Sequence, residues 1–245
     1  RAIQRGDKPR AVFHNCAGKH ACLLAASFAY GADPKSYLDE SHPVQHHIRR
    51  MLETVLAPPA GAMLPAQQAC RCGGDGCGTP VLSATLDQLA LSFSRLAKPD
   101  QYLPGELAQM LSRVCAAMVK HPELTGGSEL RIDSEVIRAS RGAIVAKSGA
   151  EGLLCFARLS DGLALAIKSD DGFDRGVNAA ALAWLDMLGM LTSAQYTPSL
   201  KTFAREPLLS GGSKRVVGEV RYCGPRFDTP TAPDNLNHLG FKDGK

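Results

Sequence analysis

GAIVAKSGAEGLLCFARLSDGLALAIKS, residues 142–169, decides how the rest of the chain is read. It contains three short apolar runs, 142–147, 152–159 and 162–169, separated by SGAE and SDG. Runs of this length, rich in Val, Ile, Leu and Phe and broken by glycine-containing turns, predict an antiparallel meander rather than a helix.

Upstream of the meander the periodicity is helical. GKHACLLAASFAYG (18–31) spaces its apolar residues three and four apart and meets a stop signal at Gly31. Ser41 and Pro43 open a second helix, HPVQHHIRRMLETVLA, with Val44, Ile48, Met51, Leu52 and Val55 along one face. APPAGAMLPAQQ (57–68) is a Pro/Ala/Gly connector, and CRCGGDGCGTP (70–80) reads as a glycine-dense loop. Residues 81–98 and 104–122 predict two more helices. Downstream, 178–191 is a helix, 214–222 a strand, and the tail 224–245 reads as loose. Helices first, strands later and one helix returning give an α+β class, with an antiparallel sheet packed against helices. We read 1–245 as a single domain with no internal repeat.

The bulk composition removes several function classes. The 245 residues are 44% hydrophobic and 21% charged, ordinary for a globular protein. No apolar run approaches the ~20 residues of a spanning helix, so no membrane partner is expected. Net charge is +4, the densest basic cluster is HHIRR (46–50), and one Trp and five Tyr leave little for base stacking. Nucleic acid is therefore not an expected partner. The chain starts at Arg1 with no charged-then-apolar leader. Its eight cysteines (16, 22, 70, 72, 77, 115, 155 and 223) sit in a chain too long to need staples, which favours a reducing, cytoplasmic setting. Cys22, Cys115 and Cys155 lie in apolar stretches and read as small buried hydrophobes.

Three constellations carry candidate chemistry. Cys16-x-x-Lys19 places a thiol and an amine at a helix start. A helix N-terminus favours a thiolate, and a lysine that loses its proton is a metal ligand; the plain alternative is a buried cysteine and a solvated lysine sharing one turn. GGDGCG (73–78) sets Cys77 between glycines with Asp75 two residues earlier. It lacks the glycine spacing of a dinucleotide loop and is either a close-approach ligand loop or a simple turn. Cys70, Cys72 and Cys77 with Cys16 form an alternative all-thiolate structural zinc site, although neither pair has the usual two-residue spacing. Finally, Lys147-Ser148-Gly149 follows a short strand, as in the third signature of serine β-lactamases and penicillin-binding proteins. The other two signatures are absent: no serine has a lysine three residues on, and no Ser-Asp-Asn occurs. His-Glu-x-x-His and Gly-x-Ser-x-Gly are also absent. Among the histidines clustered at 14, 20, 42, 46 and 47, His20 is the functional candidate.

Taken in order, HNCAGKHA, DPKSYLDESHPVQ, DGCGTP, AKSGAEG and RVVGEVR resemble the asparaginase II family, the zinc-associated, serine-dependent L-asparaginases of the Rhizobium type. The resemblance runs from about Ala11 to Tyr222, with a longer connector around 57–72 that adds Cys70 and Cys72. It implies a serine β-lactamase/glutaminase-like fold. It also implies zinc held by Cys16, Lys19 and Cys77, substrate contacts from Asp75 and His20, and a catalytic Lys147. The implied reaction is hydrolysis of the side-chain amide of L-asparagine through a serine ester. The family's Ser-x-x-Lys nucleophile lies upstream of the HNC motif, so the resemblance implies an N-terminally incomplete chain with little activity alone. A homodimer is among the assemblies it allows. The alternatives are an acyl-transfer relative acting on glutamine or a lactam, and a zinc-stabilised module that hydrolyses nothing.

Overall fold

The structure is a computed structural model that describes residues 3–58, 72–128 and 130–224. Cys70 and nearly all of the tail 224–245 lie outside the described residues, and of Cys72 the backbone alone is described. The chain divides into two compact units, residues 1–84 and 85–245.

In the first unit, α1 (Ala17–Ala29) and α2 (Pro43–Leu56) are followed by the short strands β1 (Cys72–Gly74) and β2 (Pro80–Leu82). Helix α1 ends as its sequence predicts. Gly31 takes φ +63°, its amide donates to Phe28 O, and the Ala32 amide donates to Ser27 O, a Schellman closure. Helix α2 begins at Pro43, but its cap is His42 rather than Ser41: His42 Nδ1 accepts from the Val44 amide at 3.2 Å. The glycine-dense stretch expected to be a loop is instead a hairpin, with Cys72 opposite Leu82 and Gly74 opposite Pro80. Its turn is closed by Asp75 N to Thr79 O and Gly78 N to Asp75 O. Gly78 sits at φ +83°, where a side chain would be strained.

The second unit holds the main core. It runs α3 (Leu86–Ala97), α4 (Pro99–Tyr102), α5 (Gly105–Lys120), α6 (Pro122–Thr125), α7 (Ile132–Ala139), β3 (Ile144–Gly149), β4 (Leu153–Arg158), β5 (Ala164–Lys168), α8 (Asp174–Met187), α9 (Pro198–Ala204), β6 (Arg205–Leu209) and β7 (Val216–Arg221). Helix α3 starts five residues later than its apolar pattern suggests. Pro80–Leu82 is taken by β2, and Thr85 forms a reciprocal capping box with Gln88.

The three runs of 142–169 form the expected meander, β3–β4–β5, antiparallel throughout, with Ile144 opposite Arg158 and Phe156 opposite Leu165. Strand alternation then sorts side chains between two helical layers. Ile144, Ala146, Leu154 and Phe156 pack with residues of α7, α8 and α9. Val145 and Ala157 face the opposite way and pack with Cys115 of α5 and Phe93 and Leu96 of α3. Strands β6 and β7 pair separately. The architecture is α+β.

Phe156 is fully buried at the centre of the larger cluster. Phe156→Ala should lower unfolding stability by about 3–5 kcal/mol, because transfer and cavity terms add. Urea unfolding followed by far-UV circular dichroism measures this.

Candidate functional site

Five of the six site residues named from the sequence come together in the first unit. Cys16 caps α1, and its amide donates to His14 Nδ1 at 3.1 Å, so His14 of the HNC motif satisfies an otherwise orphaned helix-start donor. Lys19 and His20 follow on the first turn of α1. The hairpin turn between β1 and β2 supplies Asp75 and Cys77.

Asp75 is the hub. Its Oδ2 accepts from Lys19 Nζ at 2.9 Å and from the Cys77 thiol at 3.2 Å, and its Oδ1 accepts from the Gly76 amide at 2.7 Å. Lys19, then Cys77 and the Gly76 amide, hold the Asp75 carboxyl down to about 2. The Cys77 thiol is held down to about 6, first by the Thr79 hydroxyl, then by the Thr79 backbone and His20; burial and Asp75 oppose this. Cys16 moves the other way: partial burial and its neighbour Cys77 push its thiol up, against the pull of Lys19. For Lys19, burial acts to lower the value, but Asp75 and Cys77 outweigh it and the net shift is upward.

His20 is held at both ring nitrogens, at 2.6 Å from the Tyr37 hydroxyl and 3.4 Å from the Thr79 hydroxyl, and its ring meets Tyr37 edge-on. Thr79 is in turn 3.1 Å from the Cys77 sulfur. A continuous polar chain therefore runs Tyr37–His20–Thr79–Cys77–Asp75–Lys19. His20, Tyr37 and Cys77 form one wall of an open cavity of about 510 Å³, lined elsewhere by Ala11, Val12, His14, Ala17, Ala21 and Leu24.

The Cys16 sulfur, the Cys77 sulfur and a carboxylate oxygen of Asp75 all lie within 4.8 Å of one another, an arrangement that can hold a metal ion. Asp75 was expected beside the substrate, and the sequence offered no signal for it among the metal donors. The hairpin supplies that signal, by folding Asp75 and Cys77 onto one side of a tight turn.

Lys147 belongs to the second unit, on β3. Its Nζ donates to Ser148 O at 2.6 Å and lies 3.5 Å from Asp133 Oδ2. Asp133, on α7, is fully buried and also accepts from the Ser148 hydroxyl (2.7 Å) and amide (3.1 Å). Arg131 Nη2 donates to Ser148 Oγ at 3.1 Å. Asp133 and Arg131 were not foreseen, because nothing in the sequence ties residues 131–133 to a triplet some fifteen residues later.

The remaining thiols sort by exposure. Cys115 and Cys155 are buried as expected, and burial pushes both up, Cys155 to about 11. Cys22 is exposed, contrary to its apolar context, because it falls on the outward side of α1.

A thiol, a carboxylate and an ammonium thus stand beside an open cavity of small-molecule size. The chain matches the L-asparaginase II family model over residues 1–222 and belongs to that family, which makes it an asparaginase-type hydrolase acting on a small-molecule amide. A search of curated proteins returned no match. Among the described residues, no helix is long and apolar enough to cross a membrane.

Two outcomes follow from this geometry. Titration with cobalt(II) should give a saturable sulfur-to-metal absorption band, and Asp75→Ala should weaken its affinity on the order of 10-fold or more. An unchanged affinity would exclude Asp75 from the metal cluster. The second concerns Asp133. Burial pushes its carboxyl up, but the Ser148 hydroxyl and amide and Lys147 outweigh this, and the net shift is below the usual 3.8. A depressed folded value means its stabilisation is fully present above the unfolded value and is lost as pH falls through the folded one. Asp133→Ala should cost about 3 kcal/mol at neutral pH by leaving the Ser148 donors unpaired. It should also flatten the acid limb of the stability profile below about pH 4.

Proposed function

We propose that the protein hydrolyses the side-chain amide of L-asparagine to aspartate and ammonia through a serine acyl-enzyme, with a zinc ion beside the substrate. The observation that carries this reading is the convergence of Cys16, Lys19, Asp75 and Cys77 next to the open cavity.

The donor set fits zinc. Two sulfurs with nitrogen and oxygen donors suit a borderline-soft dication, and two sulfurs at about 2.3 Å from a tetrahedral zinc stand about 3.8 Å apart, inside the 4.8 Å spacing of the cluster. Asp75 is paired with the Lys19 ammonium, and the Cys77 thiol, held down to about 6, gives up its proton readily to an arriving cation. Cys16 and Cys77 would hold the ion together with Lys19 once its proton is displaced, and Asp75 stands within reach of the same centre. The ion would supply fixed positive charge that orients the amino acid's polar ends.

The chain's own residues have separate tasks. Asp75 keeps the α1 turn and the hairpin in register and offers a carboxylate to the substrate ammonium. His20, fixed by Tyr37 and Thr79, presents a rigid polar edge to the cavity. Lys147 would assist proton transfer to and from the nucleophilic serine, its position set by Asp133 and the Ser148 carbonyl. None of the serines among these 245 residues has a lysine three positions on, so the nucleophile is not assigned to any of them.

The test is ammonia release by the full-length protein, measured on asparagine, glutamine and a chromogenic lactam. Asparagine should be hydrolysed fastest, and Lys147→Met should lower kcat on the order of 100-fold or more. Faster turnover of glutamine or the lactam, or full activity in Lys147→Met, would overturn the reading.

A further inference from the structure

Cys16 and Cys77 are 61 residues apart in sequence, yet their sulfurs lie within 4.8 Å of one another, and both are only partly covered. A disulfide requires sulfurs at about 2.05 Å, so its formation calls for the two side chains to turn toward one another. Cys77 sits at a hairpin turn between Gly76 and Gly78, on the side that faces the start of α1 through Asp75 and Lys19. Cys77 also lines the open cavity, through which a small oxidant can reach it, with Cys16 beside it as the partner thiol.

We propose that Cys16 and Cys77 are a reversible redox pair: a hydroperoxide converts them to a disulfide that ties the α1 start to the β1–β2 turn and removes both sulfurs from metal binding. The chemistry balances. The Cys77 sulfur attacks the terminal peroxide oxygen, the O–O bond breaks, and the displaced oxygen leaves as water or an alcohol after taking one proton. The Cys77 sulfenic acid is then attacked by the Cys16 sulfur. The S–O bond breaks, and hydroxide leaves as water with the proton from Cys16. Two thiols are oxidised by two electrons and one peroxide is reduced. A dithiol reverses the step by exchange.

The other described cysteines do not offer this pairing. Cys115 and Cys155 are buried, Cys22 and Cys223 are exposed, and among the described residues the thiols gathered in a metal-holding cluster are Cys16 and Cys77. The proposal shares its two sulfurs with the zinc reading above but does not need that reading, or any hydrolytic activity, to hold.

The experiment uses the full chain, stripped of metal and treated with one equivalent of hydrogen peroxide. Free thiols are then alkylated, and the protein is digested and mapped by mass spectrometry. A peptide pair linking Cys16 to Cys77, removed by dithiothreitol, is expected, and Cys16→Ser should replace it with oxygen adducts on Cys77. Because the cross-link is mapped on the native sequence, that result does not depend on the variant folding. Prior loading with zinc should slow the cross-link on the order of 10-fold, since a coordinated thiolate is no longer free to react. A map in which Cys77 pairs with Cys70 or Cys72, or is oxidised to sulfinic acid while Cys16 stays a free thiol, overturns the proposal. If the cross-link forms and zinc gives no protection, the redox pair stands and the shared metal site falls.

Discussion

One carboxylate ties the site together. Asp75 accepts simultaneously from Lys19 of α1, from the Cys77 thiol and from the Gly76 amide, so a helix start and a hairpin turn 56 residues apart are held by a single side chain. The groups involved are partly exposed, and the pairing is worth little as an isolated surface ion pair. Its consequence is geometric. It ties the Cys77 sulfur to the start of α1, within 4.8 Å of the Cys16 sulfur.

The second unit solves a different problem. Its meander is buried on both faces, which needs strands apolar on both sides and helices above and below. Helix α7 then contributes more than packing. By placing Asp133 beneath the end of β3, it gives the Lys147-Ser148 segment a buried anion that accepts from the Ser148 hydroxyl and amide. The cost of burying that charge is offset by these donors, so the lysine and serine of the triplet are held in one arrangement.

Much of this was legible in the residues. The meander was, because three short β-rich runs with glycine turns have no competing helical reading. Helices α1, α5 and α8 were, because each carries a long apolar stripe. Helix α7 was not. Its eight residues are too few to show a period, and its helicity follows from burying Ile132, Val136 and Ile137 against β3. The β1–β2 hairpin was hidden by its own glycines, which read as loop while providing the positive φ the turn needs at Gly78. Cys16, Lys19, His20 and Cys77 were visible as residue types at spacings that called for chemistry, and the structure gathers them with Asp75. That Asp75 would stand among the metal donors could not be read, because it depends on which way a turn folds. Cys22 was misread for a related reason: an apolar neighbourhood in sequence does not say which side of a helix a residue takes.

The account's central claim is that two sulfurs from distant parts of the chain, together with nitrogen or oxygen donors, share one dication. X-ray absorption at the zinc edge of the zinc-loaded protein tests it most directly. The account predicts two sulfur scatterers at about 2.3 Å and the remaining donors at about 2.0–2.1 Å. A first shell of four sulfurs, which would bring in Cys70 and Cys72, or a shell with no sulfur at all, would contradict it.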